Sequence, residues 1–317
     1  MAIIDVFNGD ADGICALHQL RLANPVESTL VTGVKRDISL LRKVDAKAGD
    51  EITTLDISLD KNREPLLALL EAGANIRYFD HHFAGEIPEH DGLDAHINTA
   101  SDVCTGLLVN GYLGGKHLPW AVVAAFGDNL FESAKTVAKP LSYNDQQLEQ
   151  LKALGTYLNY NGYGASLDDL YYPPADLYKR VQSYIDPFEF INESPAFTVL
   201  EEGFESDMKN ADSVKPENEN TKFAIYVLPN DKWSRRVSGV YANKLAQQNP
   251  DRAHAILSLQ EDDTYVVSVR APLSNKVGAD DVCRQFETGG GRKAAAGINK
   301  LPGSDIDRFA AVMGEVF

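Results

Sequence analysis

Ile3-Ile4-Asp5-Val6-Phe7-Asn8-Gly9-Asp10-Ala11-Asp12-Gly13 begins as a short apolar run and breaks into an acidic turn. The branched and aromatic residues before Asn8 read as a buried strand. Apolar residues at helical spacing over 14–22 read as the helix that follows it. The unit then recurs. Residues 29–33, 51–55 and 75–79 read as further strands. Residues 38–44 read as a short helix, and residues 63–71 as a helix that stops at Gly73. Such alternation predicts an α/β fold, a parallel sheet with helices on both faces. In a sheet of that kind the carboxyl ends of the strands share one edge, and ligands bind along it.

The acidic residues fall on that edge. Asp10 and Asp12 follow the first strand, Asp56 the third, and Asp80, His81 and His82 the fourth. Asp128 ends an apolar helical run in Ala125-Phe126-Gly127-Asp128-Asn129. Taken singly, each has a plain structural explanation: an Asp-x-Asp-Gly turn, a helix cap, a glycine-marked helix end. Taken together on successive strand ends, they bring carboxylates into mutual repulsion, which a divalent cation removes. Carboxylate oxygens with one or two imidazoles suit Mn²⁺ or Mg²⁺.

Beyond residue 100 the pattern is mostly helical, at 103–113, 120–126 and 146–158, with a breaker at Tyr171-Tyr172-Pro173-Pro174. Residues 201–222 are polar and charged, and read as an exposed linker or the frayed end of a helix. The expected domains are therefore a catalytic domain at 1–200, a linker at 201–222 and a smaller α/β domain at 223–317. In the last of these, strands are expected at 223–228, 255–259 and 265–270, and helices at 237–246, 280–286 and 306–316. Gly289-Gly290-Gly291-Arg292-Lys293 can turn backbone amides towards an anion, with the basic pair at the start of a helix; the other reading is a tight turn.

With 46 acidic and 30 basic residues the net charge is -16. Such a surface disfavours long duplex nucleic acid, but not a short nucleotide that needs one local basic spot. Acidity also serves solubility. Cys15, Cys104 and Cys283 are far apart, which argues against a thiolate zinc cluster and fits a reducing compartment. The first residues lack a basic start and a long apolar core, and no window reaches the length of a membrane span. A cytoplasmic protein without a membrane partner is expected.

Asp10-Ala11-Asp12-Gly13, Asp56, Asp80-His81-His82 and Gly127-Asp128 together resemble the four motifs of the DHH phosphoesterase superfamily. The run from Gly289 to Gly297 is similar to the glycine motif of its DHH-associated C-terminal domain. The resemblance spans nearly the whole chain. It implies hydrolysis of phosphoester bonds with two metal ions, usually Mn²⁺, with Mg²⁺ or Co²⁺ possible. Asp10 and Asp56 match ligands of the first ion. Asp12, Asp56, His81 and Asp128 match those of the second, with Asp56 bridging. His82 matches a histidine near the scissile phosphate. Arg270 resembles a substrate-facing arginine, and Gly289, Gly290, Gly291 and Arg292 match the substrate-binding motif. Ser101 resembles a helix start beside bound phosphate, or is a plain helix cap.

Two positions depart from the family pattern. Asn8 stands where many members supply a histidine or aspartate to the first ion, and Arg292 stands where histidine is frequent. Lys35 and Arg36, after the second strand, are weaker candidates on the same edge, and His90 and His96 are spare ones. The length resembles stand-alone members such as nanoRNases and nucleotide phosphodiesterases, which act on short oligonucleotides, cyclic dinucleotides or nucleoside phosphates. An exopolyphosphatase or pyrophosphatase and a degenerate, non-catalytic nucleotide-binding member are the alternatives. A homodimer is possible.

Overall fold

The computed structural model describes residues 1–317, which divide into two compact units, Met1–Glu202 and Gly203–Phe317. In the first, β1 (Ile3–Phe7), α1 (Ala11–Ala23), β2 (Thr29–Val31), β3 (Glu51–Leu55), α2 (Leu59–Glu71), β4 (Asn75–Asp80) and β5 (Leu93–Ile97) alternate strand with helix or loop. The strands form one sheet in the order β2-β1-β3-β4-β5, every pair parallel. Strand order reverses between β1 and β3, the position at whose carboxyl edge sheets of this kind bind ligands.

Side chains alternate across the sheet and feed two cores. Ile4, Val6, Ile52, Ile76 and Tyr78 pack with Leu59, Leu66 and Leu70 of α2 and with Leu40 and Leu41 of a short 3-10 turn. Phe7, Leu55 and Phe79 point the other way, into the larger core with α1, α3 (Thr105–Tyr112), α4 (Leu118–Gly127), α5 (Phe131–Ala138) and α6 (Asp145–Asn161). With both faces covered, β1 is almost wholly apolar, while β3 and β4 place Ile52, Leu55, Ile76, Tyr78 and Phe79 in the two cores. Strand β5 escaped the sequence reading. Asp94 and His96 interrupt its apolar run, which an edge strand paired on one side tolerates.

Three more helices follow: α7 (Pro174–Val181), α8 (Pro187–Glu193) and α9 (Pro195–Asp212). The stretch read as a linker is helical as far as Asp212. Its polar average hides a buried stripe of Asp207, Met208 and Ala211, and the charge of Asp207 is met by Arg236 at 2.7 and 3.1 Å.

The second unit continues with β6 (Asn218–Glu219), β7 (Phe223–Leu228), α10 (Lys232–Gln248), β8 (Ala253–Leu259), β9 (Thr264–Arg270), α11 (Ala279–Cys283), β10 (Gly289–Arg292), β11 (Ala295–Pro302) and α12 (Ile306–Val316). Its sheet runs β10-β11-β9-β8-β7-β6, antiparallel except for β7–β8, which α10 connects. The helix expected to start at Arg292 does not form. Residues 289–302 make a hairpin, since Ile298 and Leu301 of β11 are drawn into the core beside Val267.

Helices α4 and α6 meet backbone to backbone behind Asp128. A Cβ on Gly155 would stand 2.4 Å from the Val123 carbonyl oxygen and 2.8 Å from the Gly127 nitrogen. Gly155→Ala is therefore expected to lower the unfolding free energy by about 1–3 kcal/mol in urea titrations. It should also weaken divalent-metal binding, because α4 carries Asp128 at its end.

Candidate metal centre

Each acidic side chain is held by local structure before it meets the others. Asp10 caps α1, its Oδ1 accepting from the N–H groups of Asp12 (3.0 Å) and Gly13 (3.1 Å). Asp12, in the first turn of α1, has both oxygens fixed by backbone N–H groups at the start of α3, Thr105 at 2.8 Å and Gly106 at 2.7 Å. Asp56 follows β3 with φ 58°, a left-handed conformation uncommon outside glycine and asparagine. Its Oδ1 accepts from Thr105 Oγ1 at 3.1 Å. Asp128 ends α4.

His81 follows β4. Its Nδ1 lies 2.9 Å from the Val103 carbonyl oxygen, an acceptor, so Nδ1 is the protonated nitrogen and Nε2 is the one left to face a ligand. That Nε2 is 3.5 Å from Asp56 Oδ1, 3.8 Å from Asp128 Oδ2 and 4.0 Å from Asp12 Oδ2. Most of these separations exceed hydrogen-bond length, and all suit ligands converging on one cation through bonds of about 2.1 Å. His81 Nε2 thus has an oxygen of each of the other three residues expected to hold the second ion within 4.0 Å, and their donor chemistry fits a divalent cation.

His82 adjoins this cluster, its ring 4.5 Å from that of His81. Asp56, His81 and His82 each offer a ligand atom within 4.8 Å of the others. The Nδ1 of His82 is 2.7 Å from Oδ1 of the fully buried Asp80. Asp80 had stood in the sequence only as part of a motif. Its place here is to orient His82 and leave Nε2 as the ring's other polar atom. This contact also raises the His82 pKa: burial opposes the charge, and the Asp80 bond outweighs it.

Crowding shows in the carboxylates. Burial, then the charges of Asp12, Asp10, Asp128 and Asp80, push Asp56 well above the usual range. Asp128 is pushed to about 6 by burial first and Asp12 next. Asp10 goes the other way. Burial opposes its charge, but Lys35 Nζ at 2.5 Å from Oδ2 brings its pKa below the usual value, and Lys35 is raised in turn. The sequence placed Lys35 near this edge. It could not show that Asn159, more than a hundred residues later on α6, receives the same ammonium at 2.8 Å. Asn8 is buried, with its Oδ1 lacking a hydrogen-bond partner.

Other candidates lie elsewhere. Ser101 does not start a helix: it sits in an exposed turn, and α3 begins at Thr105 after Cys104. The amino end of α3 serves Asp12 instead. His96 stacks on Phe79 at 4.6 Å and faces Asp94 at 2.9 Å, while His90 accepts from the Gly92 N–H. Neither makes an ion pair with Asp10, Asp12, Asp56 or Asp128.

In the second unit Arg270 ends β9, its Nε donating to Asn243 Oδ1 at 2.6 Å. Gly289 and Gly291 are required by packing. A Cβ on the first would lie 1.7 Å from the Cys283 carbonyl oxygen. The second has φ 141° and would put a Cβ 2.5 Å from the Ala296 Cα. Gly290 has no such neighbour within 4 Å, and Arg292 is exposed.

Residues 220–317 match the DHHA1 domain family. No curated protein matches the chain. Among solved structures, the exonuclease RecJ bound to manganese is similar over 98% of this chain and 89% of its own, at 16% identity and TM-score 0.61. A pGpG-specific phosphodiesterase, PggH from Vibrio cholerae, covers 100% and 99% at 14% identity and TM-score 0.57. CDC45 from Entamoeba histolytica covers 99% and 95% at 9% identity and TM-score 0.53. At these identities the likeness is one of fold. No helix is long and apolar enough to cross a membrane.

The Asp128 shift has a consequence for stability. Its folded pKa stands above the unfolded value, so the folded, metal-free chain binds a proton that the unfolded chain releases between about pH 4 and 6. Stability therefore falls as pH rises through that window, and the penalty is full at pH 7. Asp128→Asn is expected to raise the metal-free unfolding free energy by about 1–3 kcal/mol at pH 7. The gain should fade below pH 4, and metal-induced stabilisation should be lost. Urea titrations with and without Mn²⁺ at both pH values read all three effects.

Proposed function

We propose that this chain, a member of the DHH superfamily ending in a DHHA1 domain, is a metal-dependent phosphoesterase acting on short nucleotide substrates. The observation that carries this reading is the convergence of Asp12, Asp56 and Asp128 on the bare Nε2 of His81. A divalent ion held there, Mn²⁺ or else Mg²⁺ or Co²⁺, would polarise a phosphoryl oxygen and lower the pKa of a bound water.

The chain's own residues prepare that chemistry. The α3 N–H groups keep both Asp12 oxygens fixed, so no side-chain reorganisation is needed when a ligand arrives. The Val103 carbonyl sets the His81 tautomer. Asp80 holds His82 by Nδ1 and favours its protonated form, which suits Nε2 to donate to a phosphate oxygen or a leaving group. In the second unit, Arg270 and Gly289 to Arg292 are the proposed phosphate-binding residues. The open space at Gly290 and the exposed fork of Arg292 support this. The family pattern implies a second ion, for which this chain has only Asn8, Asp10 and a share of Asp56 to offer.

Substrate class follows from charge and fold. The net charge of -16 disfavours long polyanions. One structure of the same fold belongs to a phosphodiesterase specific for pGpG, which supports a dinucleotide or another short oligonucleotide, a cyclic dinucleotide or a nucleoside phosphate. A panel of these with pyrophosphate and polyphosphate, assayed with Mn²⁺, decides between them. Turnover of polyphosphate alone would replace the nucleotide reading.

Asp56→Asn is expected to stay folded and to lose hydrolysis by on the order of a thousandfold; turnover at the wild-type rate would remove Asp56 from the centre. Asp80→Asn should lower kcat by roughly 10- to 100-fold, with a smaller change in KM and an altered pH profile. Gly290→Ala should raise KM while the melting temperature stays unchanged.

A further inference from the structure

The Asp10 end of the cluster already contains a cation. Lys35 Nζ lies 2.5 Å from Asp10 Oδ2 and 2.8 Å from Asn159 Oδ1, and 5.5 Å from the centre of the Tyr163 ring. The other Asp10 oxygen accepts two N–H groups as the α1 cap, where Asp12 Oδ2 and Asp56 Oδ1 accept one each, so Oδ2 is the Asp10 atom with more room for a metal. Lys35 is also anchored through its backbone. Its N–H donates to the Gly162 carbonyl at 2.7 Å, and its own carbonyl accepts from Asn8 Nδ2 at 3.4 Å. Gly162 and Asn159 belong to the carboxyl end of α6, where helix carbonyls favour positive charge. A metal in this place would have the neutral Asn8 amide, Asp10 and a share of Asp56, a poor set against a fixed ammonium with two oxygen partners.

An ion bound to Asp10 Oδ2 would take the place of the ammonium, and two cations there would repel each other. We propose that Lys35 is the resident cation at Asp10 and that the centre binds a single divalent ion, at Asp12, Asp56, His81 and Asp128. The lysine then supplies a fixed second positive charge, with one N–H left for a phosphate oxygen. Only this last role rests on the phosphoesterase reading, since the ion count is independent of any turnover.

Mn²⁺ titration of the full chain by calorimetry, with electron paramagnetic resonance of the loaded protein, tests the assignment. One ion per chain is expected, with a magnetically isolated spectrum. Lys35→Met should bind two ions and show spin coupling, because Asp10 Oδ2 becomes available beside the unpartnered Asn8 Oδ1. Lys35→Arg should stay at one. Two coupled ions in the wild-type chain would overturn the proposal, as would a folded Lys35→Met variant that still binds one. If that variant does not fold, the wild-type count decides alone. Hydrolysis by the wild-type chain against Asp56→Asn is a separate readout, so a wrong ion count leaves the phosphoesterase reading standing.

Discussion

Repulsion among buried carboxylates is the constraint around which the first unit is organised. Asp10 and Asp12 follow β1, Asp56 follows β3, Asp80 ends β4 and Asp128 ends α4; the first four are buried and Asp128 is half-buried, and burial strengthens the interactions among them. Folding alone gives no reason to gather them. Four of the five are tied by a device of their own: a helix cap for Asp10, two amide donors for Asp12, a threonine hydroxyl for Asp56, a histidine for Asp80. The arrangement trades stability for readiness, since a positively charged ligand finds its partners already in place.

Much of this was legible in the order of residues. Strand-then-acid, repeated along the chain, gives the parallel sheet and places Asp10, Asp12, Asp56 and His81 on one edge, because chain direction alone determines where strand ends lie. Asp128 was legible only through the family resemblance, as a single aspartate after a helix carries no direction of its own. The roles of Thr105 and Lys35 were hidden for a related reason. Each depends on contacts between segments far apart in sequence, such as Thr105 with Asp56 or Lys35 with Asn159. Local periodicity holds no information on such pairs.

The glycine run teaches a different lesson. Composition suggested a loop leading into a helix, yet the residues form an edge hairpin. Two of the three glycines answer to neighbouring backbone, and one answers to nothing nearby. A motif seen in sequence thus mixes positions demanded by folding with positions left open for something else, and only coordinates separate them.

Helix α6 joins two parts of the centre that would otherwise be independent. Its middle, at Gly155, rests against the backbone that carries Asp128, while Asn159 and Gly162 at its end hold Lys35. Seventeen residues long and locked at its start by a capping box, it is one continuous rod. A small tilt of that rod would shift the ammonium and the distal carboxylate together, so the spacing between the two poles of charge is set mechanically, by a lever whose far end lies outside the pocket.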